Sequence, residues 1–181
     1  MFIKERFVGK KNPFRYEYIS ETEEERFELA IRSLREHLPK NSGGIFVEKS
    51  IFDKAVEQGD IHSNSILLIN ADTVEVHSVF DNKNLTYSYP EWWLELINKS
   101  AANENVILVL DSLSTACDEH KLRCLISLVK DRTFLCEDIP ANVSIVITET
   151  SYDDLIHNNE TVNELLSMCI PISLQQFQGR A

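Results

Sequence analysis

The 181 residues, with 43% hydrophobic content, suffice for one domain with a real core and a small appendage. A net charge of −11 argues against a nucleic-acid backbone as the main partner, because phosphate binding depends on clustered Lys and Arg. No apolar run approaches the ~18 residues of a membrane span and no signal peptide is evident, so a cytoplasmic setting without membrane partners is expected.

Residues 1–40 read as an arm followed by an amphipathic helix, and residues 41–181 as an α/β core. The arm mixes basic residues (Lys4, Arg6, Lys10, Lys11, Arg15) with aromatics (Phe2, Phe7, Phe14, Tyr16, Tyr18). It reads as an edge strand or as an arm laid on a partner. Ser20-Glu21-Thr22-Glu23 forms a capping box, after which Phe27, Ala30, Ile31, Leu34 and Leu38 recur at helical spacing until Pro39.

The segment Gly43-Gly44-Ile45-Phe46-Val47-Glu48-Lys49-Ser50 admits two readings. In one it is a phosphate-binding loop of the form G-x-x-x-x-G-K-[ST], with Gly43, Lys49 and Ser50 in place and Glu48 where the second glycine belongs. Glu48 would add a Cβ where the chain must curl and a carboxylate where phosphate oxygens would lie. In the other, Ile45 to Val47 is itself a strand running straight into a helix, so the loop is gone. Either reading predicts no tight ATP binding.

Ile66 to Asn70 reads as a buried parallel strand, and Val74 to Tyr89 as a hairpin turning at Asp81 to Asn84. Pro90 opens a helix containing Trp92 and Trp93, which the spacing does not allow to face inward together. The exposed one of the pair would serve as a contact anchor. Val106 to Leu110 is a doubly buried strand ending on Asp111. A helix with its stripe at Leu122, Leu125, Ile126 and Leu128 or Val129 follows, then a strand from Val143 to Thr148. This is a β-α-β unit, with Asp111 at the carboxyl end of the sheet, where ligands bind in open α/β folds. Its plainer reading is a strand-end carboxylate capping the next turn. Val162, Leu165 and Leu166 mark a short helix, and Ile170 to Leu174 a last strand-like segment.

The four cysteines form no C-x-x-C pair, and three fall in segments read as core or near-core, which points to free thiols in a reducing setting. The five histidines are scattered without metal-ligand spacing, and Ser112 lacks the glycines of a nucleophile elbow.

From Ser42 to Leu174 the order of elements resembles the AAA+ ATPase core of the MoxR-like branch. The matching segments are SVFDNKNLTYSYPEWWLELI, LVLDS, the small turn Ser114 to Ala116, LISLVKDR, IPANV and IVITET. The resemblance implies a three-layer α/β sandwich with a mostly parallel sheet, P-loop NTPase-like, and ATP chemistry at the strand ends. The signatures depart from it. Asp111 matches the metal-binding Asp, but Ser112 stands where the family has its water-orienting Glu. No Asn falls at Thr148 to Thr150, and Ser167, Met168 and Cys169 replace an expected arginine. The sequence stops before the usual helical lid.

The expected function is therefore a catalytically inactive AAA+-like protein. It would need no cofactor or metal, and would bind a protein partner such as an AAA+ ring or another copy of itself. One alternative is a residual nucleotide binder using Lys49, Ser50 and Asp111. Another follows from residues 44–61, which are similar to the first motif of Toprim domains. There Glu48 would join an Asp-x-Asp pair to hold Mg²⁺, although the later strand here reads Asp111-Ser112-Leu113.

Overall fold

In the computed structural model, residues 22–40, 43–74, 77–81, 84–116, 118–150 and 160–177 are described, without the side chains of 40 and 77–87. The basic-aromatic arm, Ser20 and Cys117 lie outside them. Helix α1 (Glu23–His37) is capped by Thr22, whose side chain accepts the backbone N–H of Glu25. The cap is thus at Thr22, two residues later than the box beginning at Ser20. Ala30, Ile31 and Leu34 are buried, as the helical spacing requires, with Leu29 beside them.

The remaining elements follow in order. They are β1 (Gly44–Glu48), α2 (Lys49–Glu57), β2 (Ile66–Asn70), the hairpin β3 (His77–Asp81) and β4 (Asn84–Ser88), and α3 (Glu91–Ala102). Next come β5 (Val106–Asp111), α4 (Glu119–Lys130) and the short hairpin β6 (Thr133–Phe134) and β7 (Glu137–Asp138). Then come β8 (Val143–Glu149), α5 (Glu160–Ser167) and β9 (Cys169–Ile172).

Five strands form one parallel sheet in the order β2-β5-β8-β1-β9. Strands buried on both faces need apolar residues at every position, not at alternate ones. β5 meets that demand with Val106, Leu108 and Leu110 toward one face and Ile107 and Val109 toward the other. The alternation assigns the layers: Ile107 and Val109 share a core with α1 and α2, whereas Leu108 and Leu110 share one with α3, α4 and α5. This is the three-layer α/β sandwich.

The spacing of α4 holds, with Leu122, Leu125, Ile126, Leu128 and Val129 all buried. One expectation is corrected. Trp92 and Trp93 are both buried, at 8% and 3% exposure. Phe134 on β6 reaches both rings, at centroid distances of 4.7 and 5.2 Å, and Tyr89 stacks on Trp93, so a cover supplied by other segments closes over the second indole. Among the three described cysteines, Cys169 is buried and Cys124 intermediate, but Cys136 is exposed in the two-residue turn between β6 and β7.

Candidate functional site at the strand ends

β1 passes from Glu48 directly into α2 at Lys49 with no residue between. That settles the first ambiguity in favour of the strand. Gly43 precedes β1, at its amino end, while Lys49 follows its carboxyl end. Five extended residues separate them by roughly 17 Å, so they cannot wrap one phosphate group. Gly43 has a φ of +88°, and a Cβ there would stand 3.0 Å from the Met168 carbonyl oxygen. Its glycine character serves the entry to the strand. Ser50 is exposed in the first turn of α2.

What gathers instead is a polar cluster at the carboxyl ends of β1, β8 and β5. Lys49 Nζ donates to Asp111 Oδ2 at 2.6 Å, Ser112 Oγ to the same oxygen at 3.1 Å, and Thr148 Oγ1 to Asp111 Oδ1 at 2.7 Å. Both carboxylate oxygens are therefore engaged by side chains of this chain. Burial pushes the Asp111 carboxyl up, but the hydrogen bonds from Lys49, Thr148 and Ser112 outweigh it and hold the group below the ordinary carboxylate range. Lys49 is raised by its hydrogen bond to Asp111 against a smaller opposing effect of burial.

Asp111 does not cap the following turn, which corrects the plainer reading. That role falls to Glu149, the last residue of β8 and only 6% exposed, which accepts the backbone N–H of Ser114 at 2.8 Å and that of Thr150 at 2.9 Å. Burial raises the Glu149 carboxyl, and these backbone donors more than reverse the effect. Ser112, between Asp111 and the turn, adopts left-handed backbone angles (φ 59°, ψ 55°) and donates its N–H to the Thr148 carbonyl.

The rim continues to the sheet edge. Asn70 Oδ1 accepts from Thr115 Oγ1 at 2.9 Å and from the Asp72 N–H, and Lys121 Nζ pairs with Asp72 at 2.7 Å. Glu48 lies across β8 from Asp111, and its Oε2 accepts the Leu174 N–H at 3.4 Å. The residue two beyond Asp111 is the buried Leu113, so the strand end offers no second Asp for the Toprim arrangement. Of the sequence-predicted site, the fold brings together Lys49, Asp111 and Ser112 and separates Gly43 and Glu48 from them. Sequence reasoning missed Glu149 and the part of Thr148. The available signal was a charged residue prolonging an apolar strand.

A parallel sheet covered by helices on both faces, with its polar chemistry gathered at the carboxyl strand ends, defines a three-layer α/β protein. No family model and no curated protein matches the chain. Among the solved structures that resemble it are Drosophila ORC bound to AT-rich DNA and Cdc6, and Drosophila ORC bound to GC-rich DNA and Cdc6. The first gives 11% identity and a TM-score of 0.41, over 90% of this chain and 61% of that one. The second gives 11% identity and a TM-score of 0.37, over 92% of this chain and 65% of that one. This chain thus spans under two thirds of either. No described helix is long and apolar enough to cross a membrane.

Proposed function

We propose that this chain is an AAA+-like domain that has given up nucleotide turnover and works by binding another protein, as an adaptor or regulator in the cytoplasm. The observation that carries this reading is the direct passage of β1 into α2. A phosphate loop works because consecutive backbone N–H groups, freed from the sheet, point at the phosphates. Here the residues from Gly44 to Glu48 are committed to ladders with β8 and β9 instead. The Lys49–Asp111 pair supports the same reading, since the cation that would meet the phosphates and the carboxylate that would hold their metal satisfy each other.

Two hairpins favour the MoxR-like branch. β3–β4 leads to α3 through Tyr89-Pro90, and β6–β7 precedes Ile139-Pro140-Ala141-Asn142-Val143. With the nucleotide role removed, what the fold retains is its outer surface, and the partner class that fits is an AAA+ ring or a further copy of this chain.

Thermal unfolding with and without Mg·ATP tests the nucleotide half. No shift is expected, whereas a ligand at ~100 times its Kd would add about 2.7 kcal/mol of stability. Such a shift would overturn the reading. Native co-purification tests the partner half, and recovery of a lone monomer at physiological concentration would count against it.

A further inference from the structure

The large exposed hydrophobics among the described residues include Leu94, at 54% exposure, and Ile97, both on α3. With Ala101 they follow one another at i, i+3 and i+7 along the outward side of the helix, and the exposed Glu91 and Glu95 stand beside them. Among the described residues neither of these carboxylates has an ion-pair partner. A shallow groove of about 530 Å³ runs along the same side, lined by Glu91, Leu94, Glu95 and Asn98 among others. Such a surface takes a ligand that is apolar and cationic at once.

The chain itself carries one. Residues 1–18 hold five Lys or Arg against two Glu, a net +3, which leaves −14 on the rest of the 181 residues. The stretch Phe2-Ile3-Lys4-Glu5-Arg6-Phe7 combines two cations with two phenyl rings. We propose that this stretch docks on the α3 stripe of its own chain, with the phenyl groups on Leu94 and Ile97 and with Lys4 and Arg6 facing Glu91 and Glu95. The proposal goes beyond the reading above and stands whether or not a nucleotide binds.

The topology permits the reach. Ser144, near the start of β8, donates to the Leu38 carbonyl just past α1, so α1 ends at the amino rim of the sheet and begins at the carboxyl rim, where Leu174–Phe177 pack on it. Asn142, just before β8, donates to the carbonyls of Ser100 and Asn103, so α3 likewise ends at the amino rim and Glu91 lies toward the carboxyl one. From α1, over β1 and β9, to α3, over β2 and β5 on the opposite face, is about three strand spacings of ~4.8 Å across and two layers of ~10 Å through, roughly 35 Å along the rim. With residues 2–7 on the stripe, fourteen residues remain before Thr22, and they can span up to about 46 Å.

Concentration then selects the chain's own stripe over any other. A short flexible tether holds its ligand at an effective concentration in the millimolar range, so a contact too weak to join separate molecules at micromolar concentration is still made within one. The arm thereby covers the chain's own apolar stripe, and a competitor for that surface must displace it.

Zero-length carbodiimide coupling of the full chain, in an equal mixture of unlabelled and ¹⁵N-labelled protein, tests this by peptide mass mapping. Lys4 is expected to couple to Glu91 or Glu95 within single chains, with a yield that falls as salt screens the charges. Leu94→Ser and Phe7→Ser each leave the coupling groups in place and should lower that yield at least fivefold with circular dichroism unchanged; the second variant lies outside the helix and keeps the test valid if the first disturbs α3. Links that join labelled to unlabelled chains would assign the contact to a second copy and overturn the proposal. So would the absence of the link, a spread of links over exposed carboxylates elsewhere, or a yield indifferent to both variants.

Discussion

Lys49 and Asp111, 62 residues apart in sequence, meet at 2.6 Å across the ends of two strands that do not touch, since β8 lies between β1 and β5. Thr148, at the end of the intervening strand, bonds to the other oxygen of the same carboxylate. The three strand ends are thus tied through one Asp. The first residue of α2 thus pairs its charge within the chain.

This pair makes a prediction for stability. The lysine side chain is 40% exposed and the aspartate 15%, so solvent screens much of the attraction. Asp111→Asn is expected to cost about 1 kcal/mol, and Lys49→Met, which strands the more buried carboxylate, about 1 to 2 kcal/mol. The double mutant should lose less than the sum of the two. Strict additivity in chemical denaturation would show that the pair contributes nothing.

The pH dependence of that contribution follows from the two directions of shift. Asp111 is depressed in the folded state, so its share is present above the ordinary value of 3.8 and disappears as acid protonates it below that. Lys49 is raised, so its share is present below 10.5 and is lost as alkali carries it through its folded value. The stability gap between wild type and Asp111→Asn should therefore be flat from about pH 5 to pH 9 and narrow on both sides. A gap that changed steadily across neutral pH would contradict the assignment.

Ser112 offers a separate test of the same corner. Left-handed backbone costs a non-glycine residue about 1 to 2 kcal/mol, which glycine would relieve. Glycine would also give up the hydroxyl bond to Asp111 and gain freedom when unfolded, at about 1 kcal/mol each. Ser112→Gly is expected to leave stability within ~1 kcal/mol of wild type, whereas Ser112→Ala keeps the strain, loses the bond and costs about 1 kcal/mol. An alanine variant more stable than the glycine variant would contradict this.

The indoles are predicted to behave as interior groups. Trp92 meets Trp93 edge-on at 5.8 Å, and its Nε1 is buried with no hydrogen-bond partner among the described residues. Emission should be blue-shifted and poorly quenched by iodide. Trp92→Phe removes an unsatisfied donor along with some contact area, so it should cost less than Trp93→Phe, and truncation of either to Ala about 3 to 5 kcal/mol. Ready iodide quenching of both indoles would mean that the Tyr89 and Phe134 cover is open in solution.

The sheet was legible because parallel strands announce themselves as unbroken apolar runs, and β2, β5 and β8 stand where Ile66 to Asn70, Val106 to Asp111 and Val143 to Thr148 placed them. Helices α1 and α4 were legible through their stripes. The Trp pair was not, because one helix's periodicity says nothing of Phe134, forty residues on, closing over its flank. Asp111 was legible as a strand-end carboxylate, but its partners were not. Lys49 opens α2 and Thr148 lies on β8, and only the register of β1, β8 and β5 places them beside it. Glu149 was hidden because a glutamate at the end of an apolar strand reads as the start of a loop until the turn it caps is seen.

The thiols give the last prediction. Cys169 lies in the core, its Sγ donating to the Leu165 carbonyl at 3.4 Å, and burial pushes its pKa up to about 12. Cys124 on α4 is also raised, by burial first and by Asp118 second. Cys136 is exposed at a turn where Leu135 and Cys136 itself have φ of 52° and 69°, the geometry of the tight hairpin turn that favours Asn-Gly. Since the thiolate is the reactive form, alkylation of the native protein at pH 8 should, among the three described thiols, modify Cys136 first and Cys124 slowly, and spare Cys169 until unfolding. Peptide mass mapping over time reads the order. Modification of Cys169 at the pace of Cys136 would mean that β9, which carries it, detaches from the sheet edge in the native state.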